Sequence, residues 1–460
     1  MKNGIAYEKT GLKNRRNNMS EKKFWDEKIE TMPRLELEEL QKKELKEMLE
    51  FAYNNSPYYK EAFDKASLTP KDFKELRDLE KFPFTSKATE RECQGNGGLL
   101  GDMIAVTEDD VVFISASSGS TGVPTLSPFT KEDFEDWQDV ESRLFYGAGM
   151  RKTDRYVHAL NFSLFVGGPD VIGAQNLGAL CIWAGTVASE RLLFILKEFQ
   201  PTIIWTTPSY AMYLGETALK NGIDPAKDLA INKIIVAGEP GGSIETTREA
   251  IEKVWGADLY DFFGLSDIFG ACAGMCEAKN GLHIAEDHIL VEVLDVETQK
   301  PVADGLRGEL VYTTLRKKAR PMIRFRSGDI GFVNRDQCSC GRTHTRINIV
   351  GRLDDMFIVS GVNVFPSDIE FVIRGIKGIT GEYLIRLYEQ NHSVKYRIEI
   401  EKSDGSNEAD ESIKERVSSL LKTRLGVKPG EVVILKDGEL ERATHKATRL
   451  IDERTLIYEI

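Results

Sequence analysis

The stretch Val111-Val112-Phe113-Ile114, followed closely by Ser117-Ser118-Gly119-Ser120-Thr121-Gly122-Val123-Pro124-Thr125, decides how this chain is read. An apolar, β-branched run leads into a loop of small hydroxyl residues, where Gly119 and Gly122 let backbone amides approach an anion closely. Ser117, Ser118, Ser120, Thr121 and Thr125 add donors without bulk, which suits a nucleotide triphosphate. Taken alone, the same letters read as an exposed Ser/Gly turn. The common P-loop ends in Gly-Lys and opens a helix, whereas Val123-Pro124 steers the chain into an extended course. The pattern points to a different kind of ATP site.

Around that loop, 460 residues with 41% hydrophobic and 29% charged content can bury a large core and divide into at least two domains. A net charge of -12 and a pI near 5.3 argue against a nucleic-acid surface. No apolar run approaches the roughly 20 residues that span a bilayer, and the N-terminus lacks a signal-peptide core, so a cytoplasmic enzyme with no membrane partner is expected. Residues 1 to 20, with Lys13-Asn14-Arg15-Arg16, read as a frayed extension, and Met19 is a candidate start.

Residues 21 to 64 carry helical patterns, with Leu37, Leu40, Leu45 and Met48 at helical spacing and a break at Asn54-Asn55-Ser56-Pro57. From about 111 to 330, strands such as Ile203-Ile204-Trp205 and Lys233-Ile234-Ile235-Val236 alternate with helices near 209 to 220 and 243 to 255. That alternation predicts an α/β domain with largely parallel strands, spanning 21 to 351. Residues 352 to 460 change texture. Strands near 394 to 400 and 431 to 435 flank a helix near 408 to 425, which predicts a small, mobile α+β domain.

Three further segments share the chain with the loop: Tyr260-Asp261-Phe262-Phe263-Gly264-Leu265-Ser266-Asp267, Arg324-Phe325-Arg326-Ser327-Gly328-Asp329, and Gly351-Arg352-Leu353-Asp354-Asp355. A late His445-Lys446-Ala447-Thr448-Arg449 completes the series. In this order they resemble the adenylate-forming superfamily of acyl-CoA synthetases, and most closely its phenylacetate-CoA ligase family. Tyr58-Tyr59-Lys60, the Lys81 to Lys87 segment and the Gly281 to His288 run extend the similarity from about Phe24 to Asp452. The resemblance implies two steps: a carboxylate and ATP give acyl-AMP and pyrophosphate, then the CoA thiol displaces AMP. ATP, Mg²⁺ and coenzyme A are the implied cofactors, and a homodimer is a further expectation.

By the same resemblance, Lys446, Asp267 and Arg352 are catalytic candidates, with Lys446 serving adenylation as a mobile point charge. Asp267 stands where relatives place a metal-coordinating Glu; being one methylene shorter, it would alter the metal geometry, and its bland alternative is a helix N-cap. The nucleotide would be held by Ser117, Ser118, Gly119, Ser120, Thr121 and Gly122, by Gly238, Glu239 and Pro240, by Asp261, Phe262, Phe263, Gly264 and Ser266, and by Asp329 and Arg352. Asp329 would accept the ribose hydroxyls, unless it is merely a structural partner of Arg326. Asp354 occupies the hinge position, and the loop Val359 to Asn363, with Gly361, would swing in to shape the CoA channel.

Leu160, Phe165 and Gly238 would bound the acyl pocket. Leu160-Asn161-Phe162-Ser163-Leu164-Phe165 replaces a family Tyr-Gly-Tyr-Gly-Leu-Phe, so an aryl acid such as phenylacetate leads, with a short aliphatic or hydroxy acid as alternative. An adenylyltransferase using no CoA and a non-catalytic binding module are the rival classes. Of six cysteines, Cys276, Cys338 and Cys340 with His283 make a four-ligand set for structural Zn²⁺, with Cys272, His288 and His344 as substitutes. The alternative is reduced thiols beside a hydrogen-bonded histidine.

Overall fold

The computed structural model describes residues 22–117, 124–162, 167–390, 393–443 and 447–454. Helix Arg34–Asn55 buries Leu37, Gln41, Leu45, Met48, Leu49 and Ala52, the stripe that its sequence spacing presents to a core. It ends at the expected break, where Ser56 caps helix Pro57–Lys65 and Pro57 occupies its first turn.

A twelve-stranded mixed sheet forms the body: eleven strands in one path, with Thr85–Ser86 pairing in parallel beside Phe325–Asn334. Its parallel part runs Asp258–Leu265, Lys233–Val236, Ile203–Thr206, Arg155–His158, Leu180–Trp183 in neighbour order. Alternation along these strands feeds two cores: Ile203, Trp205, Ile235 and Phe262 enter one, and Ile204, Ile234, Val236 and Leu259 the other. Covered on both faces, Ile203–Thr206 and Lys233–Val236 read as near-continuous apolar runs, while the edge strand leaves Leu180 and Trp183 exposed. Beyond Asp258–Leu265 the neighbours are antiparallel, through Phe269–Met275, Leu282–Ile284, Arg346–Arg352, Phe325–Asn334, Gly308–Thr314 and Ile289–Leu294.

The strand that leads into the hydroxyl loop, Val111–Ala116, stands outside this sheet. Among the described residues it pairs only with Leu126–Thr130, in an antiparallel ribbon that carries the chain onward in extended form after Pro124. Helix Lys131–Gly147 follows, with Thr130 and Asp133 forming its capping box.

The C-terminal unit has its own core, from Phe357 to Val427. Its four-stranded sheet is ordered Glu431–Lys436, Ser393–Lys402, Ile379–Gln390, Leu450–Asp452, with helices Pro366–Arg374 and Asp410–Leu425. Ser360 and Gly361, at φ 52° and 78°, form the two-residue turn between Phe357–Val359 and Val362–Val364. This unit meets the body where Thr247 Oγ1 donates to Glu370 Oε1 at 2.8 Å and the Ala447 amide donates to Glu239 Oε2 at 2.7 Å. Among the described residues, no helix is long and apolar enough to cross a membrane.

Candidate active site

The base of the hydroxyl loop is closed by Ser117 and Thr125, whose hydroxyls lie 2.8 Å apart, while Ser118, Gly119, Ser120, Thr121 and Gly122 lie outside the described residues. A cation reaches this base from elsewhere. Ser86 caps helix Lys87–Gln94, and Lys87 Nζ at its start donates to Thr125 Oγ1 at 2.7 Å and pairs with the Asp267 carboxylate. Arg320 lies 3.8 Å from the same carboxylate and 2.6 Å from Glu90, which also approaches Lys87 at 3.3 Å. Burial opposes charge on Asp267, but Lys87 and Arg320 outweigh it and hold the group below the usual carboxylate range. Burial lifts Glu90 to about 7. Lys317, also buried and pushed down to about 7, donates to Ser127 Oγ at 2.6 Å and to the Asp267 carbonyl at 3.1 Å.

Asp267 sits in a turn between two strands and starts no helix, so the N-cap alternative is wrong. Its carboxylate is occupied by an ammonium, which a metal ion would have to displace. Lys87 falls within the quoted Lys81 to Lys87 segment, yet sequence reasoning assigned it no role. The available signal was the Val123-Pro124 ending, which lacks the lysine that closes the common P-loop and leaves the hydroxyl loop in need of a cation from another part of the chain.

Strand Lys233–Val236 delivers Ala237-Gly238-Glu239-Pro240 at its C-terminal end, with Gly238 at φ 91°. A Cβ on Gly242 would meet the Asp261 carboxyl at 2.6 Å, so that group lies flat against this loop. Asp261 accepts from Ser243 Oγ at 2.6 Å, and burial lifts it to about 7. Phe263 is half-buried, its ring 6.1 Å from Tyr312. Phe262 departs from expectation. Strand alternation turns it to the opposite face from Asp261 and Phe263, into the core against Phe145 and Trp205, so its side chain does not share their pocket. Gly264 crosses so close to Gly270 that a Cβ would meet the Gly270 carbonyl oxygen at 1.9 Å.

Asp329, on strand Phe325–Asn334, is 4% exposed, and burial lifts it to about 6. Its Oδ1 accepts from Arg352 at 3.4 Å, while its Oδ2 has no hydrogen-bond partner among the described residues. The rival pairing with Arg326 is excluded, because that guanidinium binds Glu309 at 2.6 Å. Arg352 reaches the other way to Asp354 at 2.9 Å, linking the ribose candidate to the hinge candidate. Lys446 lies outside the described residues; its neighbour Ala447 is the one held by Glu239.

At the acyl end, Phe165 is outside the described residues, and Leu160 packs beside Gly167. Phe162 stacks on Trp183 at 5.4 Å and lies 5.0 Å from His158. A cavity of about 210 Å³ opens here, lined by Leu160, Val187, Ser189, Thr206, Thr207 and Tyr210. Thr206 Oγ1 is buried without a hydrogen-bond partner among the described residues. Gly238 adjoins the cavity through Thr207, whose methyl lies 4.0 Å from the position of its absent Cβ.

Cys276, His283, Cys338 and Cys340 converge, all four ligand atoms lying within 4.8 Å of one another. The Cys276 and Cys338 sulfurs are 3.7 Å apart, and Cys340 Sγ is 3.4 Å from His283 Nε2. Tetrahedral Zn²⁺ with bonds near 2.3 Å to sulfur places two thiolates about 3.8 Å apart, so the set fits that ion. His283 Nδ1 meets the His344 carbonyl at 2.9 Å, which turns Nε2 toward the thiols. The substitutes do not join: His344 is engaged by the Ile29 and Ile284 carbonyls, His288 by Asp287, and Cys272 lies outside the group.

The candidate groups Asp261, Asp329 and the lysine-bearing base of the hydroxyl loop, with the cavity beside Leu160 and a second domain in contact through Ala447, are of the kinds that activating an acid with ATP would need. Residues 33–314 match the AMP-binding enzyme model and residues 361–454 the AMP-binding enzyme C-terminal domain. The chain is 34% identical to phenylacetate-coenzyme A ligase of Thermus thermophilus, over 94% of this chain and 100% of that one. With the enzyme of the same name from Pseudomonas putida it shares 36% identity over 91% and 94%. Among solved structures, 2-hydroxyisobutyryl-CoA ligase with 2-HIB-AMP in the postadenylation state is 28% identical, with coverage of 98% and 95% and a TM-score of 0.89. The same ligase with 2-HIB-AMP and CoA in the thioesterification state, covered to 98% and 96% at 29% identity, gives 0.71. The chain belongs to the AMP-binding enzyme family, in its phenylacetate-coenzyme A ligase branch. It is an AMP-forming acyl-CoA synthetase, joining a carboxylic acid to CoA through an acyl-AMP.

Proposed function

We propose that the acid is an arylacetic acid of the phenylacetate class, and that the residues above divide the two half-reactions between them. The observation that carries this reading of the site is the buried Asp329 carboxylate, with one oxygen on Arg352 and the other without a partner among the described residues. A vicinal diol supplies the missing donor, which fits the ribose of ATP. Lys87 and the loop hydroxyls receive the triphosphate, and Lys446 brings a charge to the acyl carboxylate and α-phosphate while pyrophosphate departs. Mg²⁺ held by Asp267 would add neutralising charge once Lys87 has moved from that carboxylate to phosphate. Zn²⁺ in the Cys276, His283, Cys338 and Cys340 set has four protein ligands and is therefore structural. The small domain then turns about Asp354 to admit the thiol. With ATP and CoA as co-substrates and its cysteines kept as thiols, the reaction is assigned to the cytoplasm.

A second reading of the acid rests on Thr206. Its buried hydroxyl, without a partner among the described residues, belongs to a residue lining a cavity that also carries Ser189, Thr207 and Tyr210, which favours a side chain bearing a hydroxyl group. Pyrophosphate exchange over phenylacetate, hydroxy acids and their deoxy counterparts, with and without CoA turnover, decides between the two. Under the arylacetic reading, phenylacetate gives the highest kcat/KM, and Thr206→Val changes it by less than about threefold. A hydroxy acid ahead of phenylacetate, with a loss of about tenfold or more in Thr206→Val, refutes that reading and establishes the second.

A further inference from the structure

Glu239 lies in the loop after strand Lys233–Val236, in a segment assigned by resemblance to the nucleotide wall. Its carboxylate does something else in this structure. Oε1 accepts the backbone amide of Ser209 at 2.7 Å, in the first turn of helix Pro208–Lys220, where the helix dipole favours an anion. Oε2 accepts the Ala447 amide, also at 2.7 Å, across the junction with the small domain. One oxygen is thus anchored to the rigid body, and the other holds the chain one residue beyond Lys446.

A second tie lies on the same helix. Glu216 approaches Arg442 at 3.5 Å, and Arg442 is itself fixed within the small domain by Glu401 at 2.7 Å. Arg442 and Ala447, on either side of Lys446 in the sequence, are therefore each held by a group from helix Pro208–Lys220 or the loop beside it. This closed arrangement accompanies the closer superposition on a postadenylation structure than on a thioesterification structure of one and the same ligase.

We propose that Glu239 is a positioning residue for adenylation: its carboxylate clamps the Ala447 amide so that Lys446 reaches the reacting phosphate, and it lets go when the small domain turns. A charge-assisted hydrogen bond to a backbone amide suits this task, since it is directional and independent of the side chain next to it. The inference rests on the two-step ligase reading. It gives Glu239 a role in the first step only, because rotation of the small domain breaks the Ala447 contact before the thiol attacks.

The test is Glu239→Gln, which keeps one acceptor oxygen and turns a donor toward the other amide. Pyrophosphate exchange should lose about 10- to 100-fold in kcat with the KM for ATP within about threefold, while thioester formation from supplied acyl-AMP and CoA stays within about twofold. In a Lys446→Ala background, where the ammonium is already absent, the same change should cost less than about twofold. A raised KM for ATP with kcat intact returns Glu239 to the nucleotide wall and overturns the proposal. So does an equal fall in both half-reactions, or full additivity with Lys446→Ala. If the unaltered chain exchanges pyrophosphate with no acid at all, the ligase reading fails first and takes the inference with it, a result distinct from the others.

Discussion

Replacing Lys87 with methionine removes the only cation that touches both the base of the phosphate loop and the Asp267 carboxylate in the described structure, at nearly constant side-chain length. Breaking a buried ion pair ordinarily costs about 3–5 kcal/mol, because the surviving charge is stranded. Here the loss should be smaller. Lys87 is 29% exposed, Arg320 stays 3.8 Å from Asp267, and Glu90, already at about 7, can take a proton to relieve the two crowded carboxylates. A destabilisation of about 1–2 kcal/mol near pH 6 is expected. The sign of its pH dependence follows from Glu90. Its folded pKa lies above the unfolded value, and losing Lys87 raises it further, so the variant keeps its proton to higher pH than the unaltered protein does while the unfolded chain has released it, and the deficit should widen above about pH 7.

Catalysis should lose more than stability. A charge-assisted donor aimed at phosphate is worth roughly 100-fold, so pyrophosphate exchange should fall by about that factor, with thioester formation from supplied acyl-AMP nearly intact because that step carries no triphosphate. Denaturant titrations at two pH values and the two half-reaction assays read these quantities separately. Exchange within about threefold of the unaltered protein, or an equal loss in both halves, refutes the assignment of Lys87 to the triphosphate.

Two further outcomes are expected. Cys338→Ser should abolish stoichiometric zinc in the purified protein, measured by elemental analysis, and lower the thermal midpoint by several degrees, with exchange per folded molecule within about threefold; unchanged metal content rejects the site. Glu141 and Asp170 form a buried acid pair, Asp170 being lifted to about 7 by burial and Glu141 well above the usual range. The fold therefore binds protons that the unfolded chain releases, and stability should decline as pH rises from about 4 through 7. Glu141→Gln, which cannot ionise, should gain on the unaltered protein by roughly 1–3 kcal/mol between pH 5 and 8; parallel stability curves contradict this.

Much of the architecture was legible from local chemistry. The helix break at Asn54 to Pro57, the parallel strands around 203 and 233 and the change of texture after 351 follow from spacing and punctuation, since each is a property of a few neighbouring residues. Cys276, His283, Cys338 and Cys340 were picked out as a group from the sequence, and the fold brings all four side chains together. Phe262 was misplaced because its neighbours were read as a group, whereas a strand sends alternate side chains to opposite faces. The ribbon of Val111–Ala116 with Leu126–Thr130 was not foreseeable from its letters, which suit a strand in the main sheet equally well.

By itself, the sequence determined the elements, their order, the small hydroxyl loop ended by Val123-Pro124, and the inventory of charged groups available to a nucleotide. Only the tertiary structure decided which of those groups meet. Arg326 turns to Glu309 and leaves Asp329 to Arg352; Lys87 crosses from a separate helix to Thr125 and Asp267; Ala447 comes to rest on Glu239. The physical reason is range. Periodicity and turn chemistry act over a few residues, while the choice of partner for a buried charge depends on desolvation and distance between segments as far as 312 positions apart.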